Sequence, residues 1–199
     1  MLEYACGPGH ISLVSYLEAV VSDLTFQALA PFVTRLVGVD LSDGMLDEFN
    51  KNVREAGRSD TVVGIKANLL ADESPAGLSA PEYFDFDLLV VSMALHHFEY
   101  PEQALNRLGQ RLKKGGVIMV LDMIPESDPH FGQDHARHQM GEVVETISKH
   151  GFTVEEMHKM YEDAGAGNGF KYRILEEPLE FTKNGNSFRK TIFIARGQK

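Results

Sequence analysis

Five short apolar runs that alternate with helical patterns constrain the fold more than any other feature of this sequence. The runs are rich in valine, isoleucine and leucine, as the buried strands of a parallel sheet are. They are Met1 to Cys6, Leu36 to Val39, Val62 to Ile65, Phe86 to Ser92 and Val117 to Met123. Between them, Asp43 to Ala56 and Pro101 to Leu112 carry apolar residues at helical spacing, and each begins at a typical helix-start residue, Ser42 or Pro101. The order predicts an α/β fold with a doubly wound, mostly parallel sheet.

The pattern changes after Pro125. A polar, histidine-rich stretch is followed by a predicted helix from about Thr153 to Ala164. Two late strands, about Phe170 to Glu177 and Ser187 to Arg196, are predicted to pair as an antiparallel hairpin. Their connection contains Lys183-Asn184-Gly185-Asn186, in which the Asn-Gly pair favours a tight turn.

Charge and cysteine content narrow the possible partners. Nineteen basic and twenty-nine acidic residues give a formal net charge of −10, which argues against a surface that follows nucleic-acid phosphates or an anionic membrane. Cys6 is the only cysteine, as expected in a reducing compartment, and no apolar run is long enough to span a membrane. We therefore expect a cytoplasmic protein with a small-molecule or protein substrate, formed by one domain over residues 1–199.

A glycine-containing segment follows the first predicted strand. Leu2-Glu3-Tyr4-Ala5-Cys6-Gly7-Pro8-Gly9-His10 places two glycines between a strand and a helix, where backbone N–H groups can approach a ligand closely. The next predicted strand ends in Asp40, from which a carboxylate can accept both hydroxyls of a ribose. A lone aspartate after a strand is more often a helix cap, but the two features together favour a nucleotide site.

These residues resemble the first motif of the class I S-adenosylmethionine-dependent methyltransferases, particularly their small-molecule, type 11 branch. That motif is an acid followed by alternating small residues; Glu3, Ala5, Gly7 and Gly9 match it, with alanine in place of the first glycine. The resemblance implies a seven-stranded Rossmann-like sheet, S-adenosylmethionine as cofactor and S-adenosylhomocysteine as its product. It also implies that Glu3 supports the methionine end of the cofactor, that the small residues allow its close approach and that Asp40 holds the ribose. Residues 1–124 would then form the cofactor-binding half, and residues 125–199 the substrate side with the terminal hairpin.

The second and third strands resemble the family in the same order. Asp40-Leu41-Ser42-Asp43-Gly44-Met45-Leu46 is similar to the end of the family's second strand, which implies that Leu41 and Met45 flank the sugar and the adenine. Ala67-Asn68-Leu69 stands where the family places residues beside the adenine ring. The resemblance implies that Asn68 hydrogen-bonds the exocyclic amine of the adenine, with Leu69 at the same site.

The fourth strand and its loop carry the candidate catalytic residues. Phe84 to Phe98 looks like the family's fourth strand and the loop under the sulfonium, which adds Ser92 to the implied cofactor site. Leu112 to Val117 looks like the turn into the fifth strand. Methyl transfer is an in-line displacement, so positioning and desolvation supply much of its rate. If the acceptor is a hydroxyl or an amine, His96 or His97 is the best placed base; the alternative is that one packs and the other caps the next turn.

Two further groups have a functional and a structural interpretation. The spacing of one group would suit a metal, although a solvated face or a substrate lid is the favoured interpretation and no metal is predicted; it comprises His130, Asp134, His135 and His138. The other group would line a hydrophobic acceptor pocket or, more commonly, a helix core; it comprises Met140, Met157 and Met160.

The start of the chain and one spacing depart from the family pattern. The first predicted strand begins at Met1, without the helices that usually precede it, so we expect a truncated start. Asp40 lies 31 positions after Gly9, whereas one helix and a short return need about 17, which indicates an insert at about Val14 to Gln27. Because codons for the insert permit a splice donor, branch site and acceptor in order, we interpret it as an unspliced intron read in frame. Its apolar stripe would extend the helix and favour oligomerisation.

Two alternative functions follow from these observations. A noncatalytic binding or scaffold protein would keep the sheet but lose catalysis through the truncated start and the insert. A nicotinamide-dependent oxidoreductase would need a Gly-x-Gly-x-x-Gly loop, but Ser12 stands three positions after Gly9. Affinity for S-adenosylmethionine separates these possibilities.

Overall fold

The computed structural model describes residues 1–7, 29, 32–71, 78–125, 148–183 and 186–199. Its strands are β1 (Leu2–Tyr4), β2 (Leu36–Asp40), β3 (Val62–Lys66), β4 (Phe86–Ser92), β5 (Leu112–Met123), β6 (Asn168–Ile174), β7 (Leu179–Lys183), β8 (Asn186–Lys190) and β9 (Ile192–Gln198). Its helices are α1 (Asp43–Glu55), α2 (Pro101–Gly109) and α3 (Val154–Asp163), with short 3-10 helices at Pro81–Tyr83 and Leu95–His97. Gly9, the expected insert, the His130 to His138 group and Met140 lie outside the described residues.

Seven strands form one sheet in the order β3-β2-β1-β4-β5-β9-β6. The first five in the chain pair in parallel, whereas β9 is antiparallel to both β5 and β6. The doubly wound, mostly parallel sheet with an antiparallel terminal pair is thereby confirmed. The turn prediction applies to a separate two-stranded sheet, because β7 pairs with β8 and the register places Lys183 opposite Asn186.

Several predicted boundaries were wrong. Strand β5 begins at Leu112 rather than at Val117, and β6 ends at Ile174 rather than at Glu177. The helix predicted over Pro101 to Leu112 ends at Gly109, because Leu112 pairs with Phe86 and begins β5. The strand predicted over Ser187 to Arg196 is divided at Thr191 into β8 and β9. Leu112 continues the apolar spacing of the helix, four residues after Leu108, so periodicity alone does not reveal the end of the helix.

The two faces of the sheet bury two apolar clusters. Helices α2 and α3 cover one face, where Leu105, Met157 and Tyr161 are fully buried, and α1 covers the other face through Phe49. Met157 and Met160 are therefore core residues rather than part of an exposed pocket. None of the helices that the structure describes is long and apolar enough to cross a membrane.

Local signals explain where the helices begin. The Ser42 hydroxyl accepts a hydrogen bond from Met45 N–H at the start of α1. Thr153 and Glu156 form a reciprocal capping box at the start of α3, because each side chain bonds the backbone N–H of the other. Such caps satisfy N–H groups that have no partner within the helix.

Candidate active site

The strand order predicts a ligand-binding crevice at the carboxyl end of β1. The chain passes from β1 to β2 and β3 on one side, whereas β4 and β5 lie on the other side. Open α/β sheets bind ligands at the carboxyl ends of their strands, at the point where the strand order reverses. Glu3 pairs with Val90 of β4 and with Gly38 of β2, so the ends of all three strands meet at this edge.

The loop after β1 bends through two left-handed residues. Ala5 has φ +54° and Gly7 has φ +55°. Gly7 N–H donates to an Asp40 carboxylate oxygen over 2.9 Å, and Cys6 N–H donates to Val39 O over 3.1 Å. The glycine loop and the aspartate predicted from the sequence are thus brought into direct contact.

Asp40 organises this edge of the sheet. Its second carboxylate oxygen accepts a hydrogen bond from Ser42 N–H over 2.9 Å, immediately before α1. Beside it, Leu41 and Met45 are 57% and 45% exposed. Each Asp40 oxygen accepts one hydrogen bond here and has a second lone pair, so the carboxylate can still accept hydrogen bonds from a diol. Leu41 and Met45 offer exposed apolar surface next to it.

Glu3 has a buried, unsatisfied carboxylate at the same edge. Its side chain is 5% exposed, and Oε2 has no hydrogen-bond partner within the part of the chain that is described. Burial raises the pKa of the carboxyl from 4.5 to about 8. A buried polar atom without a partner is costly, so this oxygen fits a cationic or hydrogen-bond-donating group of a ligand.

The residues that follow β3 are engaged in contacts within the protein, which the resemblance does not imply. Asn68 Oδ1 accepts from Leu70 N–H over 2.9 Å and from Tyr4 O–H over 3.3 Å. Leu69 is buried in the core cluster. Since both lone pairs of Oδ1 are engaged, contact with an adenine amine would require one of these bonds to be exchanged.

The loop after β4 contains the histidines. Ser92 is half-buried at the end of the strand, and Met93 adopts the left-handed conformation with φ +49°. His96 follows in a 3-10 helix with its side chain 6% exposed, and its Nδ1 lies 2.8 Å from Asp122 Oδ1. The rings of His96 and His97 are 4.1 Å apart.

Asp122 is the site residue that sequence reasoning missed. It is fully buried at the end of β5, yet a carboxylate inside the apolar run Val120-Leu121-Asp122-Met123 is itself a signal that a partner exists. Within the described residues, no group of three or more His, Cys, Asp or Glu side chains could hold a metal ion.

Ala5→Gly is expected to stabilise the fold by roughly 0.5–1 kcal/mol, because the left-handed conformation strains an alanine but not a glycine. Gly7→Ala is the matched control: it adds the same strain where no described heavy atom lies within 4 Å of the new Cβ, so it should destabilise by a similar amount. Urea unfolding of both variants measures the two effects. Destabilisation by Ala5→Gly would contradict the assignment of strain to this position.

Comparison with known proteins is consistent with this geometry. A family model described as a methyltransferase domain matches residues 2–118. An uncharacterized methyltransferase of Schizosaccharomyces pombe is 28% identical over 211 aligned positions, which cover 100% of this chain and 66% of that protein. This chain thus spans slightly less than two thirds of the relative's length.

Two solved structures share the fold. The YcgJ protein of Bacillus subtilis superimposes with a TM-score of 0.70 at 17% identity, covering 100% of this chain and 90% of that chain. A phosphoethanolamine N-methyltransferase of Haemonchus contortus, solved with phosphomonomethylethanolamine and S-adenosylhomocysteine, gives a TM-score of 0.66 at 14% identity, covering 100% of this chain and 48% of that chain. Because the family match spans more than half of the sequence and the sheet has the expected order, the chain belongs to the class I S-adenosylmethionine-dependent methyltransferase family.

Proposed function

We propose that this chain binds S-adenosylmethionine at the carboxyl edge of β1, β2 and β4 and transfers its methyl group to a small organic acceptor in the cytoplasm. The observation that carries the proposal is a buried Glu3 oxygen that has no hydrogen-bond partner among the described residues. Glu3 lies on the strand next to the one that ends in Asp40. Together these carboxylates offer acceptors for an ammonium group and for a ribose diol. The net charge of −10 favours a small acceptor over a nucleic acid.

The residues divide the binding task by chemistry. Asp40 accepts hydrogen bonds from the ribose hydroxyls, while Leu41 and Met45 cover the adenosine with apolar surface. The backbone turns through left-handed conformations at Ala5 and Gly7. Because these residues have little or no side chain, a ligand can approach the backbone closely. Glu3 serves the methionine end, where a cationic ligand group stabilises the ionised form of its carboxyl.

The chain's contribution to the chemistry is mainly positional. When bound, S-adenosylmethionine supplies an activated methyl group. The loop after β4 presents His96 and His97 beside the crevice, where an imidazole can take a proton from the acceptor.

Asp40→Ala is expected to weaken S-adenosylhomocysteine binding by about 10- to 100-fold, that is about 1–3 kcal/mol, because it removes the acceptor for the ribose and unties Gly7. Calorimetric titration of the purified chain measures this. Asp60→Ala, an exposed aspartate just before β3 at the opposite edge of the sheet, is the matched control and should bind normally.

The same titration separates the alternative functions. Binding of S-adenosylhomocysteine but not NAD supports the methyltransferase, whereas preference for NAD would overturn it. Binding without methyl transfer to any acceptor in a broad screen would favour the noncatalytic alternative. A version lacking Val14 to Gln27 tests whether that segment interferes, since tighter binding by the shorter version is the result expected of an insert.

A further inference from the structure

The buried pair formed by His96 and Asp122 is more elaborate than a packing contact requires. Asp122 Oδ1 lies 2.8 Å from His96 Nδ1 and accepts from Met123 N–H over 2.7 Å, while Oδ2 accepts from His96 N–H over 3.2 Å. Asp122 is 0% exposed and the His96 side chain 6% exposed. A carboxylate surrounded by N–H donors acts as an acceptor only, so Nδ1 of the imidazole must carry a hydrogen.

Two further features fix the backbone of His96: hydrogen bonds to its carbonyl oxygen and its place in a 3-10 helix. Its carbonyl oxygen accepts from Ser148 N–H over 3.0 Å and from Lys149 N–H over 3.1 Å. The residue lies in the 3-10 helix Leu95–His97, whose preceding strand β4 pairs with β1. The ring is therefore fixed in direction at the carboxyl edge of the sheet, beside the strand whose loop carries Gly7.

The hydrogen bond between His96 and Asp122 determines which nitrogen of the neutral imidazole carries the lone pair. With a hydrogen on Nδ1, the lone pair is on Nε2, the ring nitrogen turned away from Asp122. Side chains of Glu3 and Asp40 alternate onto the α1 face of the sheet, whereas Asp122 shares the other face with Ile118 and Val120. The proposed cofactor groups and the imidazole thus approach the crevice from opposite faces.

We propose that Asp122 is a positioning residue that fixes His96 as a proton acceptor at Nε2, and that the acceptor substrate therefore presents a neutral hydroxyl or amine. The inference rests on the proposed function and assigns the base to His96 rather than His97. An acceptor that is already anionic, such as a thiolate, would need no such group. The fixed tautomer is useful where the attacking atom must lose a proton as it reacts.

The step balances in atoms and charge. A bond forms between the acceptor oxygen or nitrogen and the methyl carbon, and the bond between that carbon and the sulfonium breaks. Its electron pair remains on sulfur, which gives neutral S-adenosylhomocysteine. The acceptor's proton moves to His96 Nε2, and the resulting imidazolium is paired with the Asp122 carboxylate until it loses the proton to water.

Imidazole ¹⁵N resonances of the unliganded chain test the positioning role without turnover. We expect His96 in the wild type to be the tautomer with a hydrogen on Nδ1, and Asp122→Asn to shift it toward the Nε2–H form, because an amide can donate to Nδ1. His96→Gln assigns the resonance, and the exposed His158→Gln is the matched control. A wild-type Nε2–H tautomer, or an unchanged tautomer in folded Asp122→Asn, would overturn the proposal.

Two probe acceptors test the substrate class. With phenol, which is protonated near neutral pH, His96→Gln and Asp122→Asn should lower methylation by about 100-fold or more; with benzenethiol, which is ionised there, rates should stay within about threefold. Equal losses with both probes, or no loss with phenol, would overturn the proposal. If Asp122→Asn does not fold, the methylation rates of His96→Gln alone test the proposal. If neither probe is methylated, the tautomer measurement tests it. Unchanged S-adenosylhomocysteine binding in these variants separates this result from failure of the proposed function.

Discussion

Glu3→Gln is expected to raise the free energy of unfolding at pH 8.5 by roughly 3–5 kcal/mol and to change it little below about pH 4.5. Burial raises the pKa of the Glu3 carboxyl from 4.5 to about 8, so the folded state favours the protonated acid. Between these two values the unfolded chain releases a proton that the folded chain keeps, and stability falls as pH rises. A glutamine stays neutral throughout and avoids this loss.

Urea unfolding at a low and a high pH measures the effect. Glu55→Gln, on an exposed side chain at the end of α1, is the matched control and should change stability by less than about 0.5 kcal/mol at either pH. If the gain from Glu3→Gln is the same at both pH values, ionisation of Glu3 is not the cause. The same variant should bind S-adenosylmethionine more weakly. That result would show that the Glu3 carboxyl contributes to ligand binding although it lowers the free energy of unfolding.

Gly197→Ala is expected to destabilise the fold by about 2–4 kcal/mol. A Cβ at this position of β9 would fall on the carbonyl oxygen of Ala166 and 2.5 Å from Cδ1 of Tyr161. Tyr161 cannot retreat easily, since it is fully buried and its hydroxyl donates to Ala195 O over 3.0 Å. Overpacking of this kind forces α3 away from the sheet.

Thermal and urea unfolding of the variant measure the cost, with Gly44→Ala as the matched control. In α1, a Cβ on Gly44 meets only the Ser42 hydroxyl oxygen, at 3.9 Å. Alanine favours a helix over glycine, so this control should stabilise by about 0.5–1 kcal/mol. A neutral Gly197→Ala would mean that the contact between α3 and β9 is not as tight as the structure shows.

Local patterns predicted the parts of this protein that depend on neighbours in sequence. The runs around Leu36 and Phe86 contain enough apolar residues to identify strands, and the strand-ending Asp40 lies at the crevice as expected from parallel topology. Contacts between distant residues were not predictable in this way. Asp122 meets His96 across 26 residues, and only the pairing of β4 with β5 brings them together.

Other differences between prediction and structure arose because the same residue pattern is compatible with two structures. Leu112 fits the spacing of the preceding helix and also the apolar run of β5, and pairing with Phe86 decides for the strand. Ala5 fits the small-residue pattern of the glycine loop, but its strain follows from a backbone conformation that the sequence does not reveal. The unsatisfied oxygen of Glu3 likewise depends on what packs around it.

The position of β9 between β5 and β6 has a consequence for synthesis on the ribosome. Strand β6 is made first but has no place in the sheet until β9 arrives, because it pairs with β9 and not with β5. At roughly 5–20 residues per second, the segment from Ile174 to Ile192 takes about 1–4 s to emerge. During that interval β5 has an open edge that another chain could pair with, so chaperone contact with this edge would matter most between the synthesis of β6 and that of β9.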